Sequence, residues 1–147
     1  MDLLKGVTEQ GSGRRLRTKN VKYKNNIATG YPYEFTNPIA GKTGTTQNQS
    51  DGWFMGVVPN LAVGVWTGGE DRSVHFNSIY YGQGASMSLP TWGLFMKKCY
   101  ADENLNISQE DFEQPEDFGI VIDCGEQLLE ENQQEQKIIQ EVDADTF

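Results

Sequence analysis

Lys42, Thr43, Gly44 and Thr45 stand together in the run Pro38-Ile-Ala-Gly-Lys-Thr-Gly-Thr-Thr46. Ile39 and Ala40 open a short apolar strand, and the polar stretch Gln47-Asn-Gln-Ser-Asp51 closes it. Along one strand edge this order sets a fixed cation, hydroxyl donors and a residue with no Cβ. A peptide carboxylate needs the first two. An acyl carbonyl under attack by a serine needs oxyanion donors beside them. At Gly44 an extended substrate backbone can approach as an added strand. The Lys-Thr-Gly triplet is a signature of active-site serine enzymes, where it accompanies a Ser-x-x-Lys nucleophile motif and a Ser-Asp-Asn motif. Neither companion occurs in this chain, so the triplet is read as one part of an active site.

A phosphate-binding loop is the competing reading of Ala40-Gly41-Lys42-Thr43. Such a loop requires a glycine at position 36, where the chain has Thr36, and a helix straight after the Lys-Thr pair. Gly44 to Gly52 is a poor helix sequence, and the reading is rejected.

Four elements must position the motif. Leu3, Leu4 and Val7 have helical spacing over residues 1–10, and Gly11-Ser12-Gly13 stops that helix. Ile39 to Thr46 is the motif strand. Gly52 to Val58 and Leu61 to Thr67, joined by Pro59-Asn60, form an antiparallel hairpin. Trp53-Phe54-Met55 and Ala62-Val63 are consecutive apolar residues, which predicts a sheet covered by helices on both faces. Trp92, Phe95, Met96 and Cys99 mark the buried stripe of an amphipathic helix over residues 85–100, with Pro90 early in it and Lys97 and Lys98 in its last turn. The basic run from Arg14 to Lys24 reads as an exposed strand or loop rather than a nucleic-acid patch. His75, the one histidine, reads as a surface-loop residue. No cofactor or metal motif is present.

Charge divides the chain. Residues 1–100 carry 11 Lys and Arg against 6 Asp and Glu, and residues 101–147 carry 1 against 15, so +5 is followed by −14. An acidic segment of this kind buries too little apolar area to offset its ordering entropy, and residues 101–147 are expected to be a solvated, partly disordered extension. Within it, Phe118 to Asp123 resembles a strand and Gln127 to Val142 a polar helix. Cys99 and Cys124 are open to pairing or to life as two small apolar side chains. No run approaches the ~18 apolar residues of a membrane span.

Residues 1–100 as a whole resemble the C-terminal part of the transpeptidase domain of class A (bifunctional) penicillin-binding proteins. The blocks that carry the resemblance, in order, are Leu3-Leu-Lys-Gly-Val7, Gly11-Ser-Gly13 and Ile39-Ala-Gly-Lys-Thr-Gly-Thr-Thr-Gln47. Asp51-Gly-Trp-Phe-Met-Gly56, Val65-Trp-Thr-Gly-Gly-Glu-Asp71 and Ser88-Leu-Pro-Thr-Trp92 follow. The resemblance implies an α+β fold, an antiparallel sheet flanked by helices, with Ile39–Thr46 as the active-site edge strand and residues 85–100 as the closing helix. It implies a D,D-transpeptidase that cross-links peptidoglycan stem peptides through an acyl-serine and binds β-lactams. Lys42, Thr43, Gly44 and Thr45 would be catalytic-site residues, with Lys42, Thr45, Thr46 and Trp53 meeting substrate. Thr45 would offer its hydroxyl to the substrate carboxylate and its N–H to the oxyanion. Asp51 and Trp53 match family positions as well, and a structural role is expected for both.

The family's serine-lysine pair, its Ser-x-Asn motif, its glycosyltransferase domain and its membrane anchor lie upstream of the matched blocks. Ser12 is followed three residues on by Arg15, and Thr18-Lys-Asn20 sits too close to Lys42 to serve as the second motif. The chain is therefore expected to be a fragment, inactive alone, whose partners are stem peptides, β-lactams and the upstream part of the same protein. The parent would act at the extracytoplasmic, periplasmic face of the bacterial inner membrane. Two other readings stay open: a β-lactamase or D,D-carboxypeptidase segment, and a non-catalytic binding module.

Overall fold

The computed structural model describes residues 1–18 and 31–115. Two compact units divide the chain, Met1–Glu113 and Gln114–Phe147. Only residues 114 and 115 of the second are among those described. The expected strand at Phe118, the polar helix at Gln127, Cys124 and most of the acidic extension lie outside the described residues.

Helix α1 spans Asp2–Glu9, followed by a tight 3-10 turn at Arg14–Leu16. Strands β1 (Ala40–Thr45), β2 (Asp51–Val58) and β3 (Leu61–Gly68) come next. A short helix α2 (Ile79–Gly82) precedes the long α3 (Gly84–Ala101). The three strands form an antiparallel sheet in the order β1-β2-β3, so among the described residues β1 and β3 are its edges. The result is the expected α+β architecture, with the motif on an edge strand and the hairpin beside it.

Burial in β2 alternates strictly. Gly52, Phe54, Gly56 and Val58 are buried, while Trp53 and Met55 are exposed. Phe54 and Val58 join Leu89, Trp92 and Met96 of α3 and Leu16, Phe35 and Ile39 in one core. The Trp92 ring meets Phe54 and Phe35 edge-on, with centroids 5.3 Å and 6.4 Å away. Its Nε1–H donates to the Val63 carbonyl at 3.2 Å, which satisfies the one polar atom of a fully buried indole. Gly56 makes this fit possible, because a Cβ there would fall inside the Trp92 ring.

Three expectations change. The sheet is covered by α3 on one face only among the described residues. On the other face Trp53, Met55 and Trp66 remain 44–46% exposed. The pleat separates consecutive apolar residues onto opposite faces, so their adjacency in sequence did not require two covers. Phe95 is 47% exposed. The buried stripe of α3 runs instead through Ala85, Ser88, Leu89, Trp92, Met96 and Cys99, and Cys99 is a free, buried thiol. In the basic run, Arg15 and Leu16 are buried rather than exposed. The Arg15 guanidinium donates to the Ala85 carbonyl (3.0 Å), Ser86 Oγ (3.0 Å) and the Tyr31 hydroxyl (3.2 Å), binding the 3-10 turn to the start of α3.

The segment after α3 stays within the first unit. Asn60 at the hairpin tip donates to the Asn106 carbonyl and accepts from the Ser108 N–H. Lys5 of α1 reaches Asp111 at 3.1 Å. Among the described residues no helix is long and apolar enough to cross a membrane.

Candidate active site

The register fixes how the motif is presented. Lys42 lies opposite Met55, Thr43 opposite Phe54, Gly44 opposite Trp53 and Thr45 opposite Gly52. Cross-strand partners share a face. Thr43 and Thr45 therefore lie on the α3 side with Phe54 and Gly52. Lys42 and Gly44 lie on the open side with Met55 and Trp53.

The backbone of β1 divides the same way. Thr46 N–H donates to the Asp51 carbonyl at 3.1 Å, which makes Thr46 and Asp51 a hydrogen-bonded pair. Such pairs alternate along an antiparallel ladder. Thr45 and Thr43 consequently fall at non-bonded positions, with their N–H and C=O groups turned to the outer edge of β1. The Lys42 ammonium is exposed and donates to the Thr43 carbonyl at 2.8 Å. The edge strand thus turns the Thr45 N–H outward, with the Lys42 ammonium on its open face and two threonine hydroxyls on its α3 face.

Each hydroxyl has a defined partner. Thr43 Oγ1 is 2.7 Å from Ser12 Oγ, in the turn after α1. Thr45 Oγ1 accepts the Gly84 N–H at 3.1 Å, and the residue is exposed. Thr46 Oγ1 accepts the Asp51 N–H at 3.1 Å and lies 3.0 Å from Ser50 Oγ, so its hydroxyl closes the turn between β1 and β2. Trp53 stands 44% exposed on the open face opposite Trp66, one residue row from Lys42.

The N-terminal part of the strand is anchored from α1 and the 3-10 turn. Buried Thr8 donates to the Ile39 carbonyl at 2.6 Å. Arg17 donates to the Phe35 and Asn37 carbonyls, and burial pushes its guanidinium below the ordinary arginine range. Asn37 Nδ2 donates to the Tyr100 hydroxyl at 2.9 Å, and burial raises that phenol above its usual value. These contacts hold the entry to β1 rigid before the motif begins. His75 is exposed on a loop, with its Nδ1 3.2 Å from the Phe76 carbonyl. No group of three or more metal-ligating side chains occurs among the described residues.

Sequence reasoning missed two members of this site. Ser12 reads in sequence as part of a helix stop and as a failed nucleophile, although a serine between two glycines at a helix end is free to turn its hydroxyl outward. Gly84 had no signal beyond its place before a helix.

No family model matches the chain. Relatives do match. The chain is similar to penicillin-binding protein 1A. Over 113 residues it is 28% identical to that protein of Aquifex aeolicus, covering 75% of this chain. Over 88 residues it is 33% identical to that of Clostridium tetani, covering 60% of this chain. Against the Pseudomonas aeruginosa protein it is 28% identical over 109 residues. The match takes in only 13% of the Aquifex penicillin-binding protein 1A and 11% of the other two, so the chain corresponds to a small region of each relative.

Proposed function

We propose that this chain is the motif-strand region of a peptidoglycan synthase of the penicillin-binding protein 1A kind, and that its β1 edge holds the C-terminal carboxylate and scissile carbonyl of a D-Ala-D-Ala stem peptide. The observation that carries the reading is Lys42-Thr43-Gly44-Thr45 on a strand that is an edge among the described residues, with the Thr45 N–H turned outward and Thr45 an exposed residue. The Thr45 N–H would serve as one oxyanion donor. Lys42 would supply positive charge and the Thr45 hydroxyl would grip the carboxylate. An extended peptide would run along Gly44, adding a strand to the sheet.

In this reading the acyl-accepting serine and its lysine come from another part of the same protein, which acts at the extracytoplasmic face of the inner membrane. Residues 1–100 would form the transpeptidase part and residues 101–147 an acidic extension. The similarity to several penicillin-binding proteins 1A supports a synthase over a β-lactamase or carboxypeptidase segment. A non-catalytic binding module draws support from a different observation: no serine in the 147 residues has a lysine three positions on.

The test is a titration of the isotope-labelled chain with N-acetyl-D-alanyl-D-alanine, followed by amide NMR. Shifts concentrated at Lys42 to Thr45 are expected, and the absence of any response along β1 would overturn the reading. Incubated with a fluorescent penicillin, the isolated chain should give no denaturation-resistant band. A stoichiometric band would show a nucleophile of its own and replace the proposal with a complete enzyme.

A further inference from the structure

Gly84 is the first residue of α3, and its N–H ends on Thr45 Oγ1 at 3.1 Å, bridging 39 positions of sequence. The first amides of a helix have no intrahelical acceptor, so this donor is available without cost to the helix. Its position is enforced. A Cβ at Gly84 would run into the carbonyl oxygens of both Gly44 and Trp53, so only glycine lets the helix start this close to β1 and β2. The neighbouring Ala85 carbonyl is held by Arg15 and by the Tyr31 hydroxyl, each at 3.0 Å, which fixes the helix start from the other side. Below it Ser88 donates to the Gly52 carbonyl at 2.7 Å, opposite Thr45 in the ladder.

A threonine hydroxyl has one proton to give. When a lone pair of Thr45 Oγ1 is taken by the Gly84 N–H, the O–H of Thr45 must point away from α3. The direction left is the exposed outer side of β1, and donation into the oxygen polarises the O–H as a donor in its turn.

We infer that Gly84 is a positioning residue: its backbone N–H orients the Thr45 hydroxyl to donate to a carboxylate at the β1 edge, and so sets the preference for ligands that end in a free carboxylate. The inference rests on the function proposed above and adds the group that makes Thr45 selective.

Gly84→Ala is a poor test, since its Cβ would force α3 off the sheet. Replacing the Gly84 amide by an ester, with glycolic acid introduced at position 84 by cell-free translation, removes the N–H without adding a Cβ, and weakens the Gln83 carbonyl that accepts from Ser86 and Met87. The full 147-residue chain is titrated with N-acetyl-D-alanyl-D-alanine and with its C-terminal amide, in native form, as the ester and as Thr45→Val. The native chain should bind the free acid more tightly than the amide. The ester should lose roughly 2- to 12-fold of that preference, the worth of one neutral hydrogen bond, with its affinity for the amide unchanged when both are measured well below its own melting temperature. Thr45→Val should lose at least as much, and combining the two should add nothing. An ester that keeps the full preference while Thr45→Val loses it would overturn the role of Gly84 and leave the proposed function standing. A native chain with no preference for the acid would overturn both.

Discussion

Ser12 Oγ and Thr43 Oγ1 lie 2.7 Å apart, joining the turn after α1 to the middle of the motif strand across 31 positions of sequence. One hydroxyl donates to the other, and the acceptor's own proton remains to be offered at the edge. Ser12→Ala breaks this link at an exposed site. The expected cost is about 0.5 kcal/mol, the low end for a neutral hydrogen bond, with Ser12→Thr restoring it. Urea unfolding of the three chains measures both. A loss above about 2 kcal/mol would mean that Ser12 holds the fold together rather than trimming the site.

The two faces of the sheet should respond in opposite ways to one added methyl. At Gly56 a Cβ would lie 2.5 Å from Trp92 Cζ2, inside a fully buried indole that cannot move without shifting α3. Gly56→Ala should cost about 1–3 kcal/mol or more. At Gly64 the nearest atom is the Met55 sulfur at 2.6 Å, the flexible end of a half-exposed side chain. Gly64→Ala should fall within about 0.5 kcal/mol of the parent. Equal losses in denaturant melts would show that the open face is packed as tightly as the α3 face.

Arg15 is buried with three hydrogen-bonded oxygens around its guanidinium. Arg15→Met keeps most of the apolar volume and deletes the Nη1 donor, at an expected cost of about 1.5–3 kcal/mol. Arg15→Lys should recover only part of this, because the lysine ammonium ends one bond short of Nη1, the nitrogen that makes all three hydrogen bonds. Full rescue by lysine in thermal melts would mean that charge alone matters there.

Lys5 bridges Asp2 at 2.9 Å and Asp111 at 3.1 Å. Its hydrogen bond to Asp2 raises its own proton affinity. The same bond depresses Asp2, while the Phe112 N–H and then Lys5 depress Asp111. Depressed carboxylates stabilise the folded chain above the unfolded aspartate value and lose that contribution as pH falls through their lowered folded values. The raised lysine contributes fully below its unfolded value and is lost as pH rises through its elevated folded one. The tie between α1 and the segment at residue 111 should therefore hold across neutral pH and release below about pH 4, near the ordinary aspartate value. It should release again in strong alkali. Lys5→Met should weaken but not abolish the acid limb of amide exchange at Phe112, whose own N–H is the first cause of the low Asp111 value, and an unchanged acid limb would remove Lys5 from the linkage.

The order of elements was legible because each rests on a local pattern. Leu3, Leu4 and Val7 carried a helical period, and Gly11 and Gly13 ended it. Pro59-Asn60 announced the hairpin between two apolar runs, and Lys42 to Thr45 read as a strand ending in a polar turn. Faces were less legible. Trp53-Phe54-Met55 looked apolar throughout, and only the ladder with β1 and β3 put Phe54 under Trp92 and left its neighbours at the surface. Phe95 fitted the helical period, but the stripe that meets the sheet is set by where Gly84 and Ser88 touch Trp53 and Gly52.

By itself the sequence determined the motif, the strand that carries it and the antiparallel hairpin beside it, since side-chain alternation and turn residues act over a few positions. The tertiary structure decided the rest of the site. Ser12 reaches Thr43 and Gly84 reaches Thr45 across 31 and 39 residues, and Arg15 is drawn into the start of α3 across 70. Hydrogen bonds of that span depend on chain segments meeting in space, where burial of Trp92 and Phe54 brings helix and sheet close enough for a bare backbone amide to hold a hydroxyl in place.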